Sequence, residues 1–156
     1  MGLIEHYRKM LAYDAWANAE IVSALERAPD PVQRSVRWLA HIVSAEILWL
    51  ERLRQKPQTL PVWPEFSLVQ CKAESEKLPP IWKNYLASLS EAGLEDTIAY
   101  KNSQGESFVS KKGDVVQHVT NHSAHHRGQI VADLRASGYN PPYIDFIHAV
   151  RKNLLE

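Results

Sequence analysis

Apolar side chains recur at steps of three and four along most of this chain, and that period narrows the fold to packed helices. In the first segment Leu3, Tyr7, Met10, Leu11, Ile21, Val22 and Leu25 fall on one stripe, with Asp14 and Asn18 as its polar members. The stripe predicts a helix over residues 2–27, ended by Pro29 and Pro31. A second helix is expected over 32–55, with Val36, Leu39, Ala40, Val43, Ile47 and Leu50 facing inward, Asp30 as its cap and Pro31 in its first position. Pro57, Pro61 and Pro64 make residues 56–66 an extended connection. Ser67 opens a third helix running to about residue 90, where the Pro79-Pro80 pair predicts a kink or a break.

Residues 94–110 change rhythm. Thr97-Ile98-Ala99-Tyr100 and Ser107-Phe108-Val109 flank an Asn-Ser-Gln-Gly loop, the pattern of a short β-hairpin. A fourth long helix begins at Lys112 or Asp114 and reaches Ser137, with Gly138 as its stop, and residues 143–153 suit a short terminal helix. The expected fold is therefore all-α and a single domain over 1–156. It is a four-helix bundle with a long crossover connection, a short hairpin before the last long helix and a short C-terminal helix.

Charge and cysteine content exclude several functions. Eighteen basic residues balance eighteen acidic ones, and no helix face is basic enough to track a nucleic acid. Cys71 is the only cysteine, which rules out an intrachain disulfide and a thiolate zinc finger, and no neighbouring histidine argues that it is an activated nucleophile. The opening MGLIEHYRKM reads as helix rather than as a secretory leader, and no apolar run is long enough to span a membrane. A reducing cytoplasm is the expected compartment.

The chemistry concentrates in the histidines. Of seven, four fall within nine residues: His118, His122, His125 and His126. On a helix His118, His122 and His126 share a face, with Cβ atoms about 5–6 Å apart. His125 lies about 100° round the helix from His126 and points elsewhere. The pair His122 and His126 has the spacing used by HExxH metalloproteases, but Ser123 stands where their glutamate would be, so no protease is implied. His41, near the inward border of the second helix, is the best candidate for a third ligand. From the residues alone, the pair is either a metal site or a histidine cluster, and His41 is either its partner or a satisfied core histidine. Three imidazoles suit divalent transition metals and leave a coordination position open.

Three segments, YDAWAN at 13–18, HIVSAEILWLERL at 41–53 and NHSAHHRGQI at 121–130, resemble the DinB-like (damage-inducible) family of metal-binding helical bundles. The similarity spans nearly the whole chain. It implies that His41, His122 and His126 ligate a divalent metal (zinc, nickel, iron or manganese), that the chain forms a homodimer, and that it is an enzyme working with a low-molecular-weight bacterial thiol, as an S-transferase or isomerase. The alternative is a non-catalytic metal-binding stress-response protein acting as a dimer.

Other residues are expected near the site. Asp14, Asn18 and Gln129 could orient a ligating imidazole, or Asp14 and Asn18 could simply bond between helices. Arg127 is either an anchor for an anionic substrate or a surface ion pair, and Gly128 is expected to let helices approach. His118 reads as a packing or supporting residue, and His6 and His148 as solvated or interfacial. Trp49 and Trp16 are expected nearest the pocket, with Trp38, Trp63 and Trp82 as core or interface anchors and Glu46 and Glu51 solvated.

Overall fold

A computed structural model of the chain describes residues 1–30 and 32–155. Four long helices, α1 (Leu3–Arg27), α2 (Gln33–Leu53), α3 (Leu68–Ala87) and α4 (Lys112–Ala136), form the bundle. A 3-10 turn at Ala92–Glu95 leads into strands β1 (Thr97–Lys101) and β2 (Ser107–Lys111), and α5 (Phe146–Arg151) follows α4. The strands pair antiparallel with Ile98 opposite Ser110 and Tyr100 opposite Phe108, and Gly105 takes the positive φ of 81° in the connecting loop.

Helix α2 packs along α4 and α1 along α3, while α2–α3 and α1–α4 make the other two contacts. Consecutive helices α1 and α2 thus lie diagonally across the bundle, and the long connection over 54–67 joins the neighbouring helices α2 and α3. Two apolar clusters fill the interior. One, near the hairpin, gathers Leu11, Leu50, Trp82, Leu94, Ile98 and Val116; the other gathers Ile21, Leu25, Leu39, Ile42, Ile130 and Leu134. Between them lies a layer of buried polar groups: Asp14, Asn18, Glu46 and Arg127, all less than 5% exposed.

Several boundaries differ from the expected ones. The cap of α2 is Val32, without a side-chain bond, rather than Asp30; Pro31, expected at its first position, lies outside the described residues. The start of α1 is held from a distance instead, since the Glu91 carboxylate accepts from Leu3 N and Ile4 N at 2.9 and 3.2 Å. Leu3 itself is 52% exposed and lies outside the buried stripe. The capping box of α3 forms as its sequence suggests, with Ser67 Oγ accepting from Gln70 N and Gln70 Oε1 accepting from Ser67 N.

No break occurs at Pro79-Pro80, and α3 runs on to Ala87 rather than to residue 90. Both prolines face solvent, where water can take the carbonyls they leave unbonded. Leu78 on one side and Trp82, Tyr85 and Leu86 on the other are buried and hold the helix against the bundle. Helix α4 ends as expected, with Gly138 at a positive φ of 84° just beyond Ser137. None of the described helices is long and apolar enough to cross a membrane.

Candidate metal centre

His41 projects from α2, and His122 and His126 project from successive turns of α4, the helix packed along it. One ring nitrogen from each falls within 4.8 Å of the others. His41 Nε2 and His122 Nε2 are 3.0 Å apart. The three rings meet edge to face, with centres separated by 4.8, 4.7 and 4.5 Å.

The outer nitrogens fix which atoms face inward. His41 Nδ1 lies 2.8 Å from the Val62 carbonyl, which can only accept, so Nδ1 carries the proton and Nε2 presents its lone pair. His126 Nδ1 stands in the same relation to Gln129 Oε1 at 2.5 Å. Carbonyl partners on the far nitrogen are how ligating imidazoles are usually oriented. Ligands held about 2 Å from one ion sit about 3–4 Å from each other; the His41–His122 nitrogen pair has that spacing, and the third nitrogen lies within 4.8 Å of both. The residues therefore fit a divalent transition ion.

Electrostatics supports the same reading. Burial, and then the neighbouring His126, His41, His118 and His125, push the His122 pKa down to about 3. Burial also lowers His41, against the opposing pull of the Val62 carbonyl. Both rings are thus neutral at pH 7, the form that binds metal. Trp63 covers one side: its ring stacks on His41 with centres 3.8 Å apart and planes 8° apart, and the Arg37 guanidinium lies 5.6 Å from the Trp63 ring centre. His122 and His126 remain half-buried, so the group is reachable.

The sequence-predicted neighbours divide. Gln129 reaches His126. Asp14 and Asn18 do not reach a histidine; they accept from Arg127 Nη1 at 2.5 and 2.8 Å. Arg127, one residue from His126 but on the inner face of α4, is 1% exposed, which removes it from the surface. Glu46 is buried rather than solvated, accepting from Asn18 Nδ2 at 3.0 Å and Trp82 Nε1 at 3.1 Å. Burial, with Asp14 adjacent, raises the Glu46 pKa well above the usual carboxylate value, against the opposing pull of Arg127 and the Trp82 bond. Glu51 is half-buried and binds Thr59.

Gly128 faces open space and makes no close helix contact. Trp49 stands beside His118, with ring centres 5.1 Å apart, and His118 beside His122 at 5.6 Å, whereas Trp16 packs against Tyr13 and His148 far round the bundle. His125 touches His126 at 5.0 Å but remains exposed. A cavity of about 1030 Å³ lies between α1, α3 and the C-terminal segment, and none of the three histidines lines it.

Two residues at the site were missed from sequence. Trp63 and the Val62 carbonyl come from the crossover, where no period exists to show which way a side chain turns. Pro61 and Pro64 around them were a signal of rigid, extended backbone. Glu46 did carry a signal, since Leu39, Val43, Glu46 and Leu50 occupy one helical face.

The model of the DinB family matches residues 4–153. This chain belongs to the DinB family. A relative, Protein DinB of Bacillus subtilis (strain 168), is 23% identical over 154 residues, covering 88% of this chain and 90% of its own.

Proposed function

We propose that this DinB-family protein is a metal-dependent enzyme whose divalent ion, zinc, nickel, iron or manganese, is held by His41, His122 and His126, and that it acts on a low-molecular-weight thiol as an S-transferase or isomerase. The observation that carries the reading is the convergence of three imidazoles, from two helices, within 4.8 Å. Such an ion supplies a Lewis acid that lowers the pKa of a thiol or water and leaves a position for substrate. The chain's own part is orientation. Val62 and Gln129 hold the protons of His41 and His126 on their outer nitrogens, and Trp63 shields one flank from water. The half-buried edge of His122 and His126 leaves the approach open, which favours catalysis over a purely structural ion.

The second reading, a non-catalytic metal-binding stress-response protein working as a homodimer, draws on Trp63, whose stack over His41 covers part of the site. We propose a reducing cytoplasm as the compartment for either role. Elemental analysis of untagged protein, followed by thiol and electrophile consumption with and without metal, tests the proposal. Stoichiometric metal lost in His122→Ala, together with metal-dependent turnover, is the expected result. Metal without turnover across several thiols and electrophiles supports the second reading, and absence of metal overturns both.

A further inference from the structure

Arg52 occupies an unusual position for a cation. Its guanidinium carbon lies 4.5 Å from the Trp49 ring centre and 4.9 Å from that of Tyr100, and the two rings meet at 79°. The side chain is half-buried in this aromatic corner. Its one hydrogen bond runs from Nη2 to the Lys101 carbonyl at 3.1 Å. Among the described residues no carboxylate pairs with it, although the buried Arg127 has Asp14 and the more exposed Arg34 has Asp133. Of five guanidinium donors, four remain unused.

The corner adjoins the metal centre. Trp49 touches His118, and His118 touches His122, so one continuous wall of rings leads from the three-histidine group to Arg52. Burial disfavours the Arg52 charge, and only the Tyr100 phenol, not a carboxylate, opposes that effect among the described residues. A half-desolvated guanidinium with free donors, fixed by stacking, is built to take two oxygens of one anion.

We propose that Arg52, clasped by Trp49 and Tyr100, is a subsite for the oxyanion, carboxylate or phosphate, of a small molecule whose other end reaches the three histidines. The inference rests on the catalytic reading above and narrows its substrate to an anionic, extended molecule. Eleven residues of α2 separate His41 from Arg52, roughly 16 Å along the axis. A substrate spanning both ends lies along the Trp49 and His118 faces.

Isothermal titration with succinate and, separately, inorganic phosphate tests the subsite, on zinc-loaded and metal-free protein. Wild type is expected to saturate with at least one anion, and the preferred one identifies the source of the oxyanion. Arg52→Gln is expected to bind it about tenfold more weakly, the scale of a lost charge-assisted bond. Arg52→Lys, which keeps the charge but not the fork, falls between. Arg135→Gln, an equal charge change on the exposed end of α4, leaves binding unchanged. Should Arg52→Gln unfold, Arg52→Lys carries the test, with about threefold weakening expected.

Binding insensitive to both Arg52 variants, or no binding of either anion below roughly 10 mM, overturns the subsite. Zinc content, measured in parallel, keeps the two ideas separate. Arg52-dependent anion binding by a protein that takes up no divalent metal removes the catalytic reading and leaves the subsite standing. Zinc bound normally with Arg52-independent anions removes the subsite alone.

Discussion

Trp63 lies face to face with His41, 3.8 Å between ring centres, and belongs to the crossover rather than to the bundle. The stack and the adjacent Val62 carbonyl together fix the plane of the imidazole. Trp63→Ala is therefore expected to weaken metal affinity by about tenfold, the size usually found when a ligand's supporting group is lost. Trp63→Phe should retain most of it. Competition against a chromophoric chelator measures both, and equal affinities for wild type and Trp63→Ala would show that the stack does not orient the ring.

Gln129 supplies the corresponding support for His126. Gln129→Ala is expected to weaken metal binding by about tenfold, and Gln129→Glu, which keeps an acceptor on the outer nitrogen, to preserve it. Chelator competition again reports the result, with His122→Ala as the reference for losing a ligand outright.

Acid should loosen the metal-free protein through His122. Its folded pKa of about 3 lies below the unfolded value of about 6.5. A lowered histidine binds fewer protons when folded, so its contribution is present above the unfolded pKa and drains away as pH falls from there toward the folded one. Melting temperatures of metal-free protein from pH 7.5 down to 4.5 should drop more steeply for wild type than for His122→Ala. Parallel curves would show that the ring titrates normally.

The buried ion pair offers a test of stability independent of metal. Arg127→Ala takes away the cation that Asp14 pairs with at 1% exposure, with an expected cost of about 3–5 kcal/mol. Adding Asp14→Asn removes the acid left without its cation and should recover part of that loss. Chemical denaturation of the two variants measures it, and additive losses would mean that the pair is not coupled.

The bundle was legible because helix period, capping chemistry and proline placement all act locally. Ser67 with Gln70 and the glycine at 138 are readable within a few residues. The pair His122 and His126 was legible for the same reason, while His41 needed the resemblance, because nothing in its own segment says which helix it will face. Trp63 was hidden in a segment without period. Arg127 was misplaced because neighbours on a helix diverge by about 100°, so its proximity to His126 in sequence placed it on a different face. The Pro79-Pro80 pair was overweighted: the local loss of backbone bonds is real, but tertiary packing at Leu78 and Trp82 outweighs it.

The adjacency of His126 and Arg127 sets two faces of α4 at once. A deletion or insertion of one residue upstream within this helix would swing the imidazoles off the seam and bring the guanidinium out of the core. The helix is phase-locked by two unrelated demands. Length changes that evolution or an engineer introduces should therefore collect in the connection at 137–145, beyond α4, where neither demand applies.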